Sequence, residues 1–187
     1  AAWDRASWPA WHAPPISQLP RLDEASRERV RQAWTTGEVP RFTGLQGHVS
    51  GTVTAPIGGG NLAVLASLVG TPWEADLRDR VVLLEDVGEA PYAVDRLLTQ
   101  MILAGAFEGA LAFVIGQFTG ISDTAKAVVE EVILERLIPL RLPLATGLPV
   151  GHEQANAPLP FGAGSGRLAI LDVPPGGEAS LRFEAAP

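Results

Sequence analysis

At 187 residues, with 47% apolar and 19% charged side chains, the chain has the length of one domain, or of one domain with an appendage, and enough apolar content for a packed core, which excludes a disordered chain. A net charge of −7, with Lys126 the only lysine among 14 basic residues, leaves no basic patch and argues against nucleic acid as a partner. The lack of cysteine excludes disulfides, thiolate metal sites and cysteine nucleophiles, and no apolar run reaches membrane-spanning length.

The opening stretch, "AAWDRASWPAWHAPP", has Trp3, Trp8 and Trp11 and three prolines within fifteen residues. It lacks the charged region and apolar core of a signal peptide. It reads as a segment made to pack on something absent from this chain. Residues 16–22 form a connector. Residues 23–36 predict a helix that Asp23 can cap, with Val30, Ala33 and Trp34 as its apolar stripe and Gly37 and Pro40 as its end. "HVSGTVT" (48–54) alternates apolar and polar side chains and predicts a half-buried strand. "APIGGG" then reads as a turn, and "NLAVLASLVG" (61–70) as a short buried helix with Asn61 at its N-cap.

Two cleaner units follow. "RVVLLE" (80–85) is a continuous apolar strand, the pattern of a strand covered on both faces. A helix opens at Ala90, with Pro91 suited to its first turn. "ALAFVIGQF" (110–118) is a second buried strand, and residues 122–137 predict an amphipathic helix capped by Ser122 or Asp123. "LRLPLATG" (140–147) predicts a third strand, placed at a sheet edge by Pro143. "RLAILDV" and "ASLRFEA" close the chain as two strands around the turn "PPGG". The order β-α-β-α-β-α-β and then β-β predicts an α/β fold: a mixed sheet flanked by helices, with an antiparallel tail.

Several constellations can carry chemistry. A glycine run ahead of a helix can cradle an anion, which makes Gly59 and Asn61 candidate substrate-binding residues; a tight strand-to-helix turn accounts for the same residues. Neither the phosphate-loop pattern nor the dinucleotide fingerprint is present, and no histidine spacing suggests a metal, so no cofactor is expected. Ser122 in "GISDT" looks like a nucleophile elbow but is flanked by Ile121 and Asp123 where the elbow needs small residues; a helix cap explains it better. Glu85 ends an apolar strand, and a carboxylate there points into the crevice where open α/β sheets hold ligands. His152, in "LPVGHEQAN", follows the strand at 140–147 on a loop of small residues. Glu85 capping its turn, and a histidine satisfied by its own backbone, are the plain alternatives. Together the two residues make two thirds of a nucleophile–histidine–acid triad. His12 and His48 have no such setting.

Four stretches, "GGNLAVLASLVGTPW" (59–73), "LLEDVGEAPYAVDRLLTQM" (83–101), "GLPVGHEQANAPLPFG" (147–162) and, more loosely, "WHAPP" (11–15), resemble the serine peptidases called L,D-carboxypeptidases or muramoyltetrapeptide carboxypeptidases. The resemblance implies a C-terminal domain of the swivelling β/β/α type over residues 41–187, with residues 1–40 a remnant of an N-terminal domain plus a linker and helix. It implies a Ser–Glu–His triad in which Glu85 and His152 are the acid and the base, and whose serine lies in an N-terminal domain missing from this chain; the chain alone should then be inactive. It implies a cytoplasmic homodimer that removes terminal D-alanine from muropeptide tetrapeptides in peptidoglycan recycling. A microcin C-type immunity peptidase domain, and a non-catalytic binding or dimerisation module of the same ancestry, are the alternatives. Hydrolysis by a serine of this chain, Ser122 or Ser165, is the reading it disfavours.

Overall fold

The computed structural model describes residues 8–187. Trp3 of the tryptophan-rich opening lies outside the described residues. In chain order the elements are β1 (Ala10–His12), α1 (Glu24–Thr36), β2 (Phe42–Val49), β3 (Gly51–Ala55), β4 (Ile57–Asn61), α2 (Leu62–Leu68), β5 (Val81–Val87), α3 (Pro91–Leu103), β6 (Ala112–Thr119), α4 (Asp123–Leu137), β7 (Leu144–Thr146), β8 (Leu159–Phe161), β9 (Arg167–Val173) and β10 (Glu178–Ala185).

One eight-stranded sheet runs in the order β3-β9-β10-β2-β7-β6-β5-β4. Its β4–β7 half is parallel, and β2, β10, β9 and β3 extend it antiparallel. The mixed α/β architecture expected from the alternation of elements is therefore present. Side chains of a strand alternate between faces, and in β5 this splits the apolar run cleanly. Val82 and Leu84 face a core made with Leu62 and Leu65 of α2, Val94 and Leu98 of α3 and Val129 and Ile133 of α4. Val81 and Leu83 face a second core, shared with Leu45 of β2, Leu171 of β9, Leu181 of β10 and the segment carrying Leu148, Val150 and Leu159. Helices thus cover one face, and strands and a loop of the same chain cover the other.

The caps act where local chemistry predicts them. Asp23 accepts from Ser26 N at 2.7 Å, Asn61 Oδ1 from Val64 N at 3.0 Å and Ser122 Oγ from Ala125 N at 3.2 Å. Pro91 opens α3.

Other expectations need correction. The strand expected at 48–54 is two strands: the chain changes partners at Ser50, with β2 pairing β10 and β7 and β3 pairing β9. "APIGGG" is not a turn; its glycines belong to β4, which lies parallel to β5. The strand after α4 is short and interior, between β6 and β2, rather than at an edge. Pro143 does not bar this, because it precedes the strand and offers only its carbonyl, which accepts from Phe113 N at 2.8 Å. Two three-residue strands, β1 and β8, form a separate antiparallel pair too short to show in a sequence pattern. Through this pair, and through Asp23 N donating to Gln154 O at 3.0 Å, residues before position 40 are bonded to the 150–161 segment.

Candidate active site

Glu85 and Asp86 sit side by side near the end of β5, and each is only 2% exposed. Strand alternation sends them to opposite faces. Asp86 shares the helix face with Val82 and Leu84, where it binds the start of α2: Oδ1 accepts from Asn61 Nδ2 and Oδ2 from Ala63 N, both at 2.8 Å. Glu85 is in phase with Val81 and Leu83 and faces the covering loop. The β5–β6 register slips between Leu84 and Asp86, so that Gly116 and Gln117 of β6 lie opposite Glu85. A side chain at Gly116 would sit inside contact distance of Val150 O and 3.1 Å from Glu85 Cβ. Glycine is what lets the loop close over the sheet beside the carboxylate.

His152 rides on that loop, which begins after β7. The loop has no strand ladder, and side-chain amides hold it instead. Gln117 Nε2 donates to Ala155 O at 2.6 Å, and its Oε1 accepts from Glu153 N at 3.2 Å. The buried Asn156 bonds to both backbone groups of Gly151. Lys126 Nζ pairs with Glu153 Oε1 at 2.8 Å from the start of α4. The result places His152 Nδ1 3.1 Å from Glu85 Oε2, across 67 residues of sequence. Oε2 receives no well-directed hydrogen bond among the described residues, so the pair is close but off line.

Burial pushes the Glu85 carboxyl above the usual carboxylate range; His152 pulls it back and Asp86 adds to the rise. His12 of β1 stands near enough for His152 to act on it: withdrawal from water, and then His152, push its pKa down to about 4. Its ring lies 6.0 Å from that of Phe161. The Glu85 side of the histidine is closed, whereas its exposed side opens on a crevice of about 800 Å³ that Gln18, Arg21, Asp23 and Gln154 also line.

The remaining sequence candidates lie elsewhere. Asn61 is in register with Glu85 on the neighbouring strand, but its side chain is engaged at both ends by the α2 cap and Asp86. Gly59 packs its backbone against Leu83 of β5. The Ser122 hydroxyl caps α4, and that of Ser165 donates to Gly162 O at 2.8 Å. His48 bonds to Thr146 Oγ1 at 2.9 Å. Among the described residues no group of three or more His, Cys, Asp or Glu could hold a metal, and no helix is long and apolar enough to cross a membrane. Sequence reasoning missed Gln117, Gly116, Asn156 and Ser26. The only available signal was a polar "QAN" run beside the histidine, in an otherwise small and apolar segment.

Comparison with known proteins places the chain in a family. Residues 54–165 match the sequence model of the family described as the LD-carboxypeptidase C-terminal domain. The murein tetrapeptide carboxypeptidase of Pseudomonas aeruginosa is 29% identical over 185 residues, which cover 92% of this chain and 59% of that protein. A Bacillus subtilis protein named "Probable murein peptide carboxypeptidase" is 28% identical over 162 residues, 82% of this chain and 51% of its own length. The crystal structure of muramoyltetrapeptide carboxypeptidase from Oxalobacter formigenes superposes with a TM-score of 0.72 at 27% identity, over 96% of this chain and 62% of that one. The microcin C7 self immunity protein MccF has a TM-score of 0.77 over 99% of this chain and 64% of its own, but at 17% identity it shows the fold alone. The chain spans about half the length of the first curated relatives it matches. With more than half of its residues inside the family match, the chain belongs to the LD-carboxypeptidase family, of which it carries the C-terminal domain.

Proposed function

We propose that this domain supplies the acid and the base of a Ser–Glu–His triad in an L,D-carboxypeptidase that removes terminal D-alanine from muropeptide tetrapeptides. The observation that carries the reading is the 3.1 Å approach of His152 Nδ1 to a buried Glu85 carboxylate at the C-terminal end of the parallel strands. With Nδ1 turned to Glu85, Nε2 is the nitrogen left for proton transfer. It takes the proton of a serine hydroxyl as the oxygen attacks the scissile carbonyl, and returns it to the amine of D-alanine as the C–N bond breaks. A water then attacks the acyl-enzyme, passes its proton to Nε2, and the serine oxygen leaves with it. Glu85 fixes the tautomer and stabilises the imidazolium without itself changing protonation state.

The family resemblance puts the serine in a segment outside these residues, in keeping with Ser122 and Ser165 being engaged in local backbone bonds. A murein peptide is favoured over a microcin-type substrate because the murein relative is similar in sequence over most of the chain, whereas the MccF likeness is one of fold. A recycling role goes with a cytoplasmic enzyme, and the family resemblance with a homodimer.

The test is a chimera in which this chain replaces the matching portion of the Pseudomonas aeruginosa enzyme. It should release D-alanine from a muropeptide tetrapeptide, and Glu85→Gln and His152→Gln should each lower kcat by about 10³-fold or more, the scale on which triads fail when one member is removed. The unmodified chain alone should release none. An active chimera indifferent to His152→Gln, or release by the chain alone that Ser122→Ala abolishes, would overturn the reading.

A further inference from the structure

Asn156 is one of six buried polar or charged side chains among the described residues, at 2% exposure, and it lies four residues after His152. Its amide turns back along the chain: Nδ2 donates to Gly151 O, and Oδ1 accepts from Gly151 N at 3.2 Å. One side chain thereby closes the 151–156 loop at its neck, with His152 the first residue inside. The backbone N–H of Asn156 donates in turn to Ser26 Oγ at 3.0 Å, and Ser26 is fully buried on α1. The neck is therefore pinned from outside by a helix as well as closed from inside. A buried amide with every polar end paired has few alternative arrangements, because each costs an unsatisfied group in a low-dielectric setting.

These contacts act on the residue next to His152. Gly151 precedes it directly, and both of its backbone hydrogen-bonding groups are held by Asn156. Gln117 holds the other flank, at Glu153 N and Ala155 O, so His152 is fixed from both sides and Asn156 supplies the hold at the Gly151 end. We infer that Asn156 is a positioning residue: by clamping Gly151 and leaning on Ser26, it sets His152 at contact distance from Glu85. The inference rests on the Glu85–His152 reading proposed above.

The test needs no catalytic turnover and uses this chain as it stands. Glu85 is labelled with ¹³C at its carboxyl carbon and titrated by NMR, in the parent chain and with His152→Gln. Because His152 draws the Glu85 carboxyl downward, removing it should raise the titration midpoint. The same pair is then measured in an Asn156→Leu background, which keeps the branched shape, adds no charge and removes both bonds to Gly151. There His152→Gln should move Glu85 by less than half as much. Unchanged signals from Val94 and Leu98 of α3, in the core on the opposite face of the sheet, establish that the fold is retained. If Asn156→Leu does not fold, Ser26→Ala removes only the outer pin and should diminish the response in the same direction. An equal His152→Gln shift with and without Asn156 overturns the positioning role and leaves the Glu85–His152 pairing standing. No shift even in the parent chain overturns both.

Discussion

Replacing Gly59 by alanine separates a structural role from a ligand-binding one. Gly59 lies in β4 opposite Leu83, at φ +108°, a conformation that L side chains rarely adopt. A Cβ there would stand 3.0 Å from Leu83 N and 3.1 Å from Leu83 C, and closer still to Leu83 O. These are backbone atoms of a central strand and cannot swing aside as a flexible side chain would. The backbone conformation costs about 1–3 kcal/mol for a residue other than glycine. Forcing the strands apart adds about 1–3 kcal/mol, the usual range for overpacking. At about 2–4 °C per kcal/mol for a chain of this size, Gly59→Ala should lower Tm by at least about 4 °C, measured by circular dichroism at fixed pH. Gly60→Ala is the internal control: φ is +121° but the space around it is open, so it carries the conformational cost without the collision. Gly59→Ala should therefore melt below Gly60→Ala. A Gly59→Ala chain that melts within about 1 °C of the parent would refute the packing argument and return Gly59 to the role of a surface built for a ligand.

Asp86→Ala should leave the Asn61 amide and the Ala63 N–H without their acceptor and cost about 1–3 kcal/mol, read as a lower urea midpoint with the slope unchanged. Glu85→Gln should act oppositely at neutral pH. The folded carboxyl titrates above its usual value of 4.5, so between that value and the raised one the native state holds more protons than the unfolded state. Stability from this group is then lowest above the raised value and grows as pH falls through it, so the Tm gain of Glu85→Gln should be largest near pH 7 and shrink toward pH 4.5. A lower Tm for Glu85→Gln at pH 7 would show that the contact with His152 outweighs the burial cost.

How much of the fold was legible depended on how local its causes are. The caps at Asp23, Asn61 and Ser122 are decided within three residues, and all were readable. The apolar runs of β5 and β6 declare burial on both faces, and they form the parallel centre. What failed was non-local. The glycines of β4 read as a turn because their reason lies in β5, against which a side chain would collide. Pro143 read as an edge marker because only the register shows that its missing N–H falls outside the ladder. β1 and β8 are three residues each and exist only as a pair.

The site divides along the same line. A bare sequence offers "ED" at 85–86, and prefers Glu85 only because it directly ends the apolar run. The two-residue period of β5 does distinguish them: Asp86 is in phase with Leu84, hence toward the helices, and Glu85 with Leu83, hence toward the loop that carries the histidine. The same alternation divides the work of two adjacent acids. Asp86 meets the start of a helix, where two N–H donors satisfy it and its charge serves stability. Glu85 meets one histidine, which offsets only part of the cost of its burial. A residue held in that condition costs the fold stability, a cost that the proposed pairing with His152 would explain. Asn156 extends the logic one step further from the sequence. Its partners are Gly151 and Ser26, 5 and 130 positions away, and only the folded chain brings the helix, the loop neck and the histidine into one arrangement.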